Sequence, residues 1–81
     1  MKEVLQEFGI FIKQKRLEHG LTQEDVAKKL GISQVSYGRY ELGMRDPGLE
    51  FIYEIASALE FEPKEFFGEY MEGRLAKYKW Q

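Results

Sequence analysis

The sequence predicts an all-α fold, a compact bundle of five helices, on three observations. Apolar residues recur at three- and four-residue steps in five stretches. Glycines stand just beyond several of these stretches, where a helix can end in the left-handed conformation. No segment alternates polar and apolar residues for long enough to make a strand.

The first helix is expected from about Val4 to His19, with Val4, Leu5, Phe8, Ile12 and Leu17 as its buried stripe and Gly20 as its stop. Thr22 then offers an N-cap, with Asp25 three residues on as a capping-box partner, and a second helix buries Val26, Ala27 and Leu30. Only Gly31 and Ile32 separate it from Ser33, the N-cap of a third helix that runs to about Leu42 and stops at Gly43. A loop around Met44, Arg45, Asp46 and Pro47 leads to a fourth helix with Leu49, Ile52, Ile55, Ala56 and Leu59 at helical spacing. The fifth begins near Pro63 and carries Phe66, Phe67, Tyr70 and Met71. Gly68 and Gly73 weaken it, each by about 1 kcal/mol relative to alanine. Residues 1–73 read as one domain, and 74–81, with Tyr78 and Trp80, as a tail suited to extend a dimer interface or to close the core.

Composition narrows the function. The 81 residues make one domain, and 43% hydrophobic content with six Phe, five Tyr and one Trp supplies a core without disulfide or metal. Cysteine is absent and His19 is the sole histidine, so Cys-ligated zinc is excluded and no metal or other cofactor is expected. No apolar run approaches the roughly 20 residues of a membrane span, and no signal-peptide pattern opens the chain, so the expected location is cytoplasmic. A net charge of −2 argues against coating nucleic acid by charge alone. The charge is uneven, +2 over residues 1–45 and −4 over 46–81, which assigns any anion-binding surface to the first half.

Two short helices joined by a tight turn form a helix-turn-helix unit, whose second helix can enter a major groove. At about 100° per residue, Ser33, Tyr37, Tyr40 and Glu41 share the inward side of that helix. Val35, Gly38, Arg39 and Leu42 lie outward, with Gln34 at the edge. Glutamine can pair with adenine, arginine with guanine, and valine can touch a thymine methyl. The same residues also suit an ordinary solvated face, and the pattern by itself leaves both readings open.

The run from Phe8 to Phe67 resembles the phage repressor and Cro-like (XRE) family of transcriptional regulators. The resemblance rests on Gly9, Ile12, Arg16, Gly20 to Ala27, Leu30 to Gln34, Arg39, Glu41, Gly43, Arg45, Pro47, Leu49, Ile55-Ala56, Ala58-Leu59 and Phe66-Phe67, in order. It implies a lambda-repressor-like DNA-binding domain with the helix-turn-helix at helices 2 and 3. It implies base contacts from Gln34, Val35 and Arg39, and phosphate contacts from Gln23, Ser36 and Arg45, Gln23 also bracing the first reading residue. It further implies an ion pair between Arg16 and Glu41 that orients the reading helix, and an inward Tyr37. Gly38 and Leu42 stand where relatives often carry polar residues, and Gly48 replaces the usual hydroxyl cap of the fourth helix.

The expected function is sequence-specific binding of a double-stranded operator by a homodimer, most simply as a repressor, on half-sites about 34 Å apart. The alternative is an antitoxin or adaptor module whose main partner is another protein. An enzyme is not expected, because His19 has no serine or acidic cluster to complete a triad and no glycine loop suits a phosphate.

Overall fold

The computed structural model describes residues 2–70; the tail at 74–81 and its expected role lie outside the described residues. Four α-helices follow in order, α1 (Lys2–Glu18), α2 (Gln23–Leu30), α3 (Gln34–Glu41) and α4 (Gly48–Leu59), then a fifth helix at Glu65–Tyr70. Among the described residues there is no strand. α2 packs on α3 and α4, and α1 lies across α3 and α4.

The helix ends are where local chemistry placed them. Thr22 and Asp25 form a reciprocal capping box, the Thr22 N–H donating to Asp25 Oδ2 at 2.8 Å and the Asp25 N–H to Thr22 Oγ1 at 3.0 Å. Ser33 Oγ accepts the Ser36 N–H at 3.1 Å and so opens α3. α3 closes in a paired-bond turn in which the Gly43 N–H reaches the Tyr40 carbonyl at 3.1 Å and the Met44 N–H reaches the Arg39 carbonyl at 2.9 Å. Gly43 has φ 70°, as that turn demands. α4 ends in the same way without a glycine, because Glu60 itself takes the left-handed conformation at φ 57° and delivers Phe61 to the core.

The core unites Phe8, Phe11 and Ile12 of α1 with Val26, Tyr37, Ile55, Leu59, Phe61 and Phe66. Phe66 is fully buried and meets Phe8 edge-on at 5.1 Å, while Phe11 meets Phe61 edge-on at 5.0 Å. α1 and α3 meet backbone to backbone. A Cβ on Gly9 would stand 2.2 Å from the Glu41 carbonyl oxygen and 2.7 Å from that of Tyr40, so α1 touches the end of α3 with no side chain between them.

Several expectations need correction. The fifth helix is wound as a π-helix over Glu65–Tyr70 rather than as an α-helix. Glu65 is fixed by the Glu62 N–H at 2.8 Å and by Lys15 Nζ at 2.9 Å, Phe66 is fixed by the core, and Gly68 adds little helix preference, so packing sets the winding. Leu17 and Leu49, expected inward, are 58% and 77% exposed, and the aromatic Phe11 takes the buried place on α1. Ser33 is exposed, because its side chain is spent on the cap rather than on the core. Gly48 is less a substitute cap than a geometric necessity. It has φ 76° and its N–H donates to Asp46 Oδ1 at 2.9 Å, a conformation costly for a serine.

Two substitutions test this account by urea and thermal unfolding. Gly9→Ala is expected to lose at least the upper end of the about 1–3 kcal/mol typical of overpacking, since its new methyl meets rigid backbone. Glu60→Gly is expected to raise Tm by about 4 °C. Relief of left-handed strain, about 1–2 kcal/mol, exceeds the extra unfolded-state entropy of glycine, about 0.4–1 kcal/mol.

Candidate nucleic-acid interface

α3 has two faces with no residue in common. Tyr37, Tyr40 and Glu41 are buried, whereas Gln34, Val35 and Arg39 are exposed. Tyr37 packs at 0% exposure, and Tyr40 rests against the Phe51 ring at 5.4 Å. These two rings dock the helix.

A hydrogen-bonded ion pair fixes its rotation. Arg16 Nε donates to Glu41 Oε2 at 2.6 Å and Nη2 donates to Oε1 at 3.1 Å, a two-pronged contact between residues that are each 8% exposed. Arg16 Nη1 also donates to the Leu21 carbonyl at 3.0 Å, so one guanidinium ties α1, the turn before α2, and the end of α3. Burial works against the charged carboxylate of Glu41, but the hydrogen bonds from Arg16 and Gln23 outweigh it and hold its pKa below the ordinary 4.5. The hydrogen bond to Glu41 raises Arg16 in turn, against its own desolvation. Burial, reinforced by the nearby Glu41, pushes the Tyr37 hydroxyl up, and that hydroxyl reaches no protein hydrogen-bond partner in good geometry.

The expected DNA-facing residues divide by what they already hold. Gln34 and Arg39 make no side-chain hydrogen bond or ion pair among the described residues and stand free on the outward face beside Val35, which is 65% exposed. Ser36 is half-buried and its oxygen accepts from Ser33 Oγ at 3.0 Å, which leaves the Ser36 hydroxyl proton to donate elsewhere. Arg45 is exposed and its guanidinium lies over the Tyr40 ring, 5.6 Å from the centroid, a contact that steadies the head group and leaves its N–H donors free at the edge.

Gln23 is the least expected. Its Nε2 donates to Glu41 Oε1 at 3.0 Å, so it braces the ion pair rather than Gln34. Gly38 faces it across the turn, where a Cβ would stand 3.4 Å from Gln23 Oε1, an ordinary van der Waals contact. The capping box consumes the Asp25 N–H, so the free N–H groups at the start of α2 are those of Gln23 and Glu24. No spacing rule pointed to the Gln23–Glu41 bond.

A tight corner of two short helices, the second pinned on its inner face and carrying exposed, uncommitted polar side chains outside, defines a helix-turn-helix DNA-binding protein. The chain belongs to the helix-turn-helix family HTH_3, whose model matches residues 12–66. It is 41% identical over 56 residues to an uncharacterised HTH-type transcriptional regulator of Methanocaldococcus jannaschii, MJ0272, a match covering 69% of this chain and 85% of the relative. Among solved structures it is similar to the restriction-modification controller protein C.AhdI of Aeromonas hydrophila, with TM-score 0.72 and 36% identity over 78% of this chain and 96% of that one. A point mutant of the controller C.Esp1396I superimposes with TM-score 0.76 at 29% identity, covering 90% of this chain and 92% of that one. The protein is a DNA-binding transcriptional regulator of the Cro/C1 type, as the resemblance implied. Among the described residues no helix is long and apolar enough to cross a membrane.

The buried pair has a pH signature. Because the folded pKa of Glu41 is lowered, its contribution is complete above 4.5 and is lost as pH falls through the folded value. Glu41→Gln is expected to cost about 3–5 kcal/mol at neutral pH, the range for breaking one partner of such a pair, and to flatten the acid limb of stability against pH. A residual slope from Asp25 and Glu65, both also lowered, should remain. An acid limb as steep in the variant as in the parent would contradict this assignment.

Proposed function

We propose that α3 enters the major groove and reads base edges with Gln34, Val35 and Arg39, while Gln23, Ser36 and Arg45 hold phosphates on either side. The observation that carries this reading is the state of Gln34 and Arg39. They are exposed and uncommitted on a helix whose opposite face is immobilised by two tyrosines and an ion pair. A helix already held in place leaves only these side chains to be ordered on contact, and Arg39 can offer two donors to guanine while Gln34 offers a donor and an acceptor to adenine. The double-stranded operator is the partner, and the protein works in the cytoplasm.

The working species is a homodimer that represses by occupying two half-sites about 34 Å apart. Phe67 at 50% exposure, together with Leu49 and Tyr53 at 77% and 60%, supplies apolar surface on the fourth and fifth helices that a monomer leaves in water. The similarity to restriction-modification controllers supports control of transcription as the task.

Selection of bound sequences from a random duplex pool, followed by titration against salt, tests the assignment. Arg39→Ala should cost about 1–3 kcal/mol at one base pair and relax preference there, whereas Arg45→Ala should weaken all duplexes alike and reduce the salt slope by about 1. Equal losses on selected and random duplexes for Arg39→Ala would rule out direct reading by that side chain. Sedimentation equilibrium of the full chain should report a dimer. A chain ending at Gly68 that self-associates equally well removes the tail from the interface.

A further inference from the structure

The outward face of α3 carries more apolar surface than a phosphate-facing surface calls for. Val35, Leu42 and Met44 are 65%, 67% and 70% exposed, and they line one shallow concavity together with Gln34 and Arg39. Leu42 and Met44 are held in register with the reading helix. The Leu42 N–H donates to the Gly38 carbonyl at 3.1 Å, and the Met44 N–H to the carbonyl of Arg39 itself at 2.9 Å. Gly38 also lines the concavity and puts no side chain into it.

A polyanion rewards cations and N–H donors, so apolar side chains gain nothing from its phosphates. In the major groove one base substituent is apolar, the C5 methyl of thymine, and it lies among the same edges that glutamine and arginine address. We propose that Leu42 and Met44, continuing from Val35, form a receptor for thymine methyl groups and so set specificity at base pairs beyond those reached by Gln34 and Arg39. The proposal rests on α3 occupying the major groove. Leucine supplies a branched wall, and the unbranched, polarisable methionine adapts its shape to the methyl. One methyl withdrawn from water changes affinity about four-fold, equivalent to about 0.8 kcal/mol.

The test uses the full chain and a duplex selected from a random pool, with each thymine replaced in turn by uracil, which removes the methyl and leaves the pairing edge intact. Anisotropy titration should show about four-fold weaker binding at one or more positions for the parent protein. That penalty should shrink toward none in Leu42→Ala or Met44→Ala, whose exposed sites leave the fold intact. Specific binding that ignores every uracil substitution overturns the proposal, as does a penalty of the same size in both variants. Failure of the pool to enrich any sequence is a different result, because it removes the groove-reading assignment underneath and this proposal with it.

Discussion

The arrangement of this domain depends on the contact between α1 and the end of α3. Two features make it. Gly9 brings the backbones together and sets their separation, and the Arg16–Glu41 pair sets their relative rotation. A buried ion pair is a poor source of net stability, because desolvation consumes most of the Coulombic gain. Its merit is direction. A planar guanidinium meeting a carboxylate through two parallel bonds tolerates neither sliding nor twisting, whereas two aliphatic side chains in the same place would tolerate both.

The remaining contacts extend that restraint outward. Arg16 reaches the Leu21 carbonyl and Gln23 reaches Glu41, so the corner between the helices is fixed from the same point as α3 itself. Tyr37 and Tyr40 anchor the inner face, and Tyr40 then supports Arg45 in the loop that follows. Lys15, one residue before Arg16, joins α1 to Glu65 and hence to the fifth helix. Adjacent residues of α1 thus hold α3 on one side and the fifth helix on the other.

Much of this was legible in the sequence, for identifiable reasons. Caps and stops are local, so Thr22, Ser33 and the stop at Gly43 could be placed from neighbouring residues alone. The two-sidedness of α3 followed from helical periodicity. What escaped depended on partners distant in the chain. Leu17 is an exception, because at about 100° per residue it lies opposite Phe8 on α1 while Phe11 lies beside it, so periodicity alone favours Phe11, which Phe61 and Phe66 then hold in the core. The end of α4 at Glu60 carries no glycine to announce it, and no residue of the fifth helix announces its π winding. At the candidate interface the ion pair came from family resemblance, while the bond from Gln23 to Glu41 required coordinates, because nothing local distinguishes a glutamine that faces solvent from one that turns back.

The separation of α3 into a bonded face and an unbonded one bears on how such a protein changes over generations. Replacing the side chain at 34, 35 or 39 breaks no fold-holding hydrogen bond and opens no cavity, so surface substitutions there stay within about 0.5 kcal/mol of neutral for folding. Drift at those positions is invisible to selection on stability, and under the proposed groove-reading role it is visible only to selection on the genes controlled. A duplicated copy could therefore acquire a new address in few steps, each intermediate remaining folded.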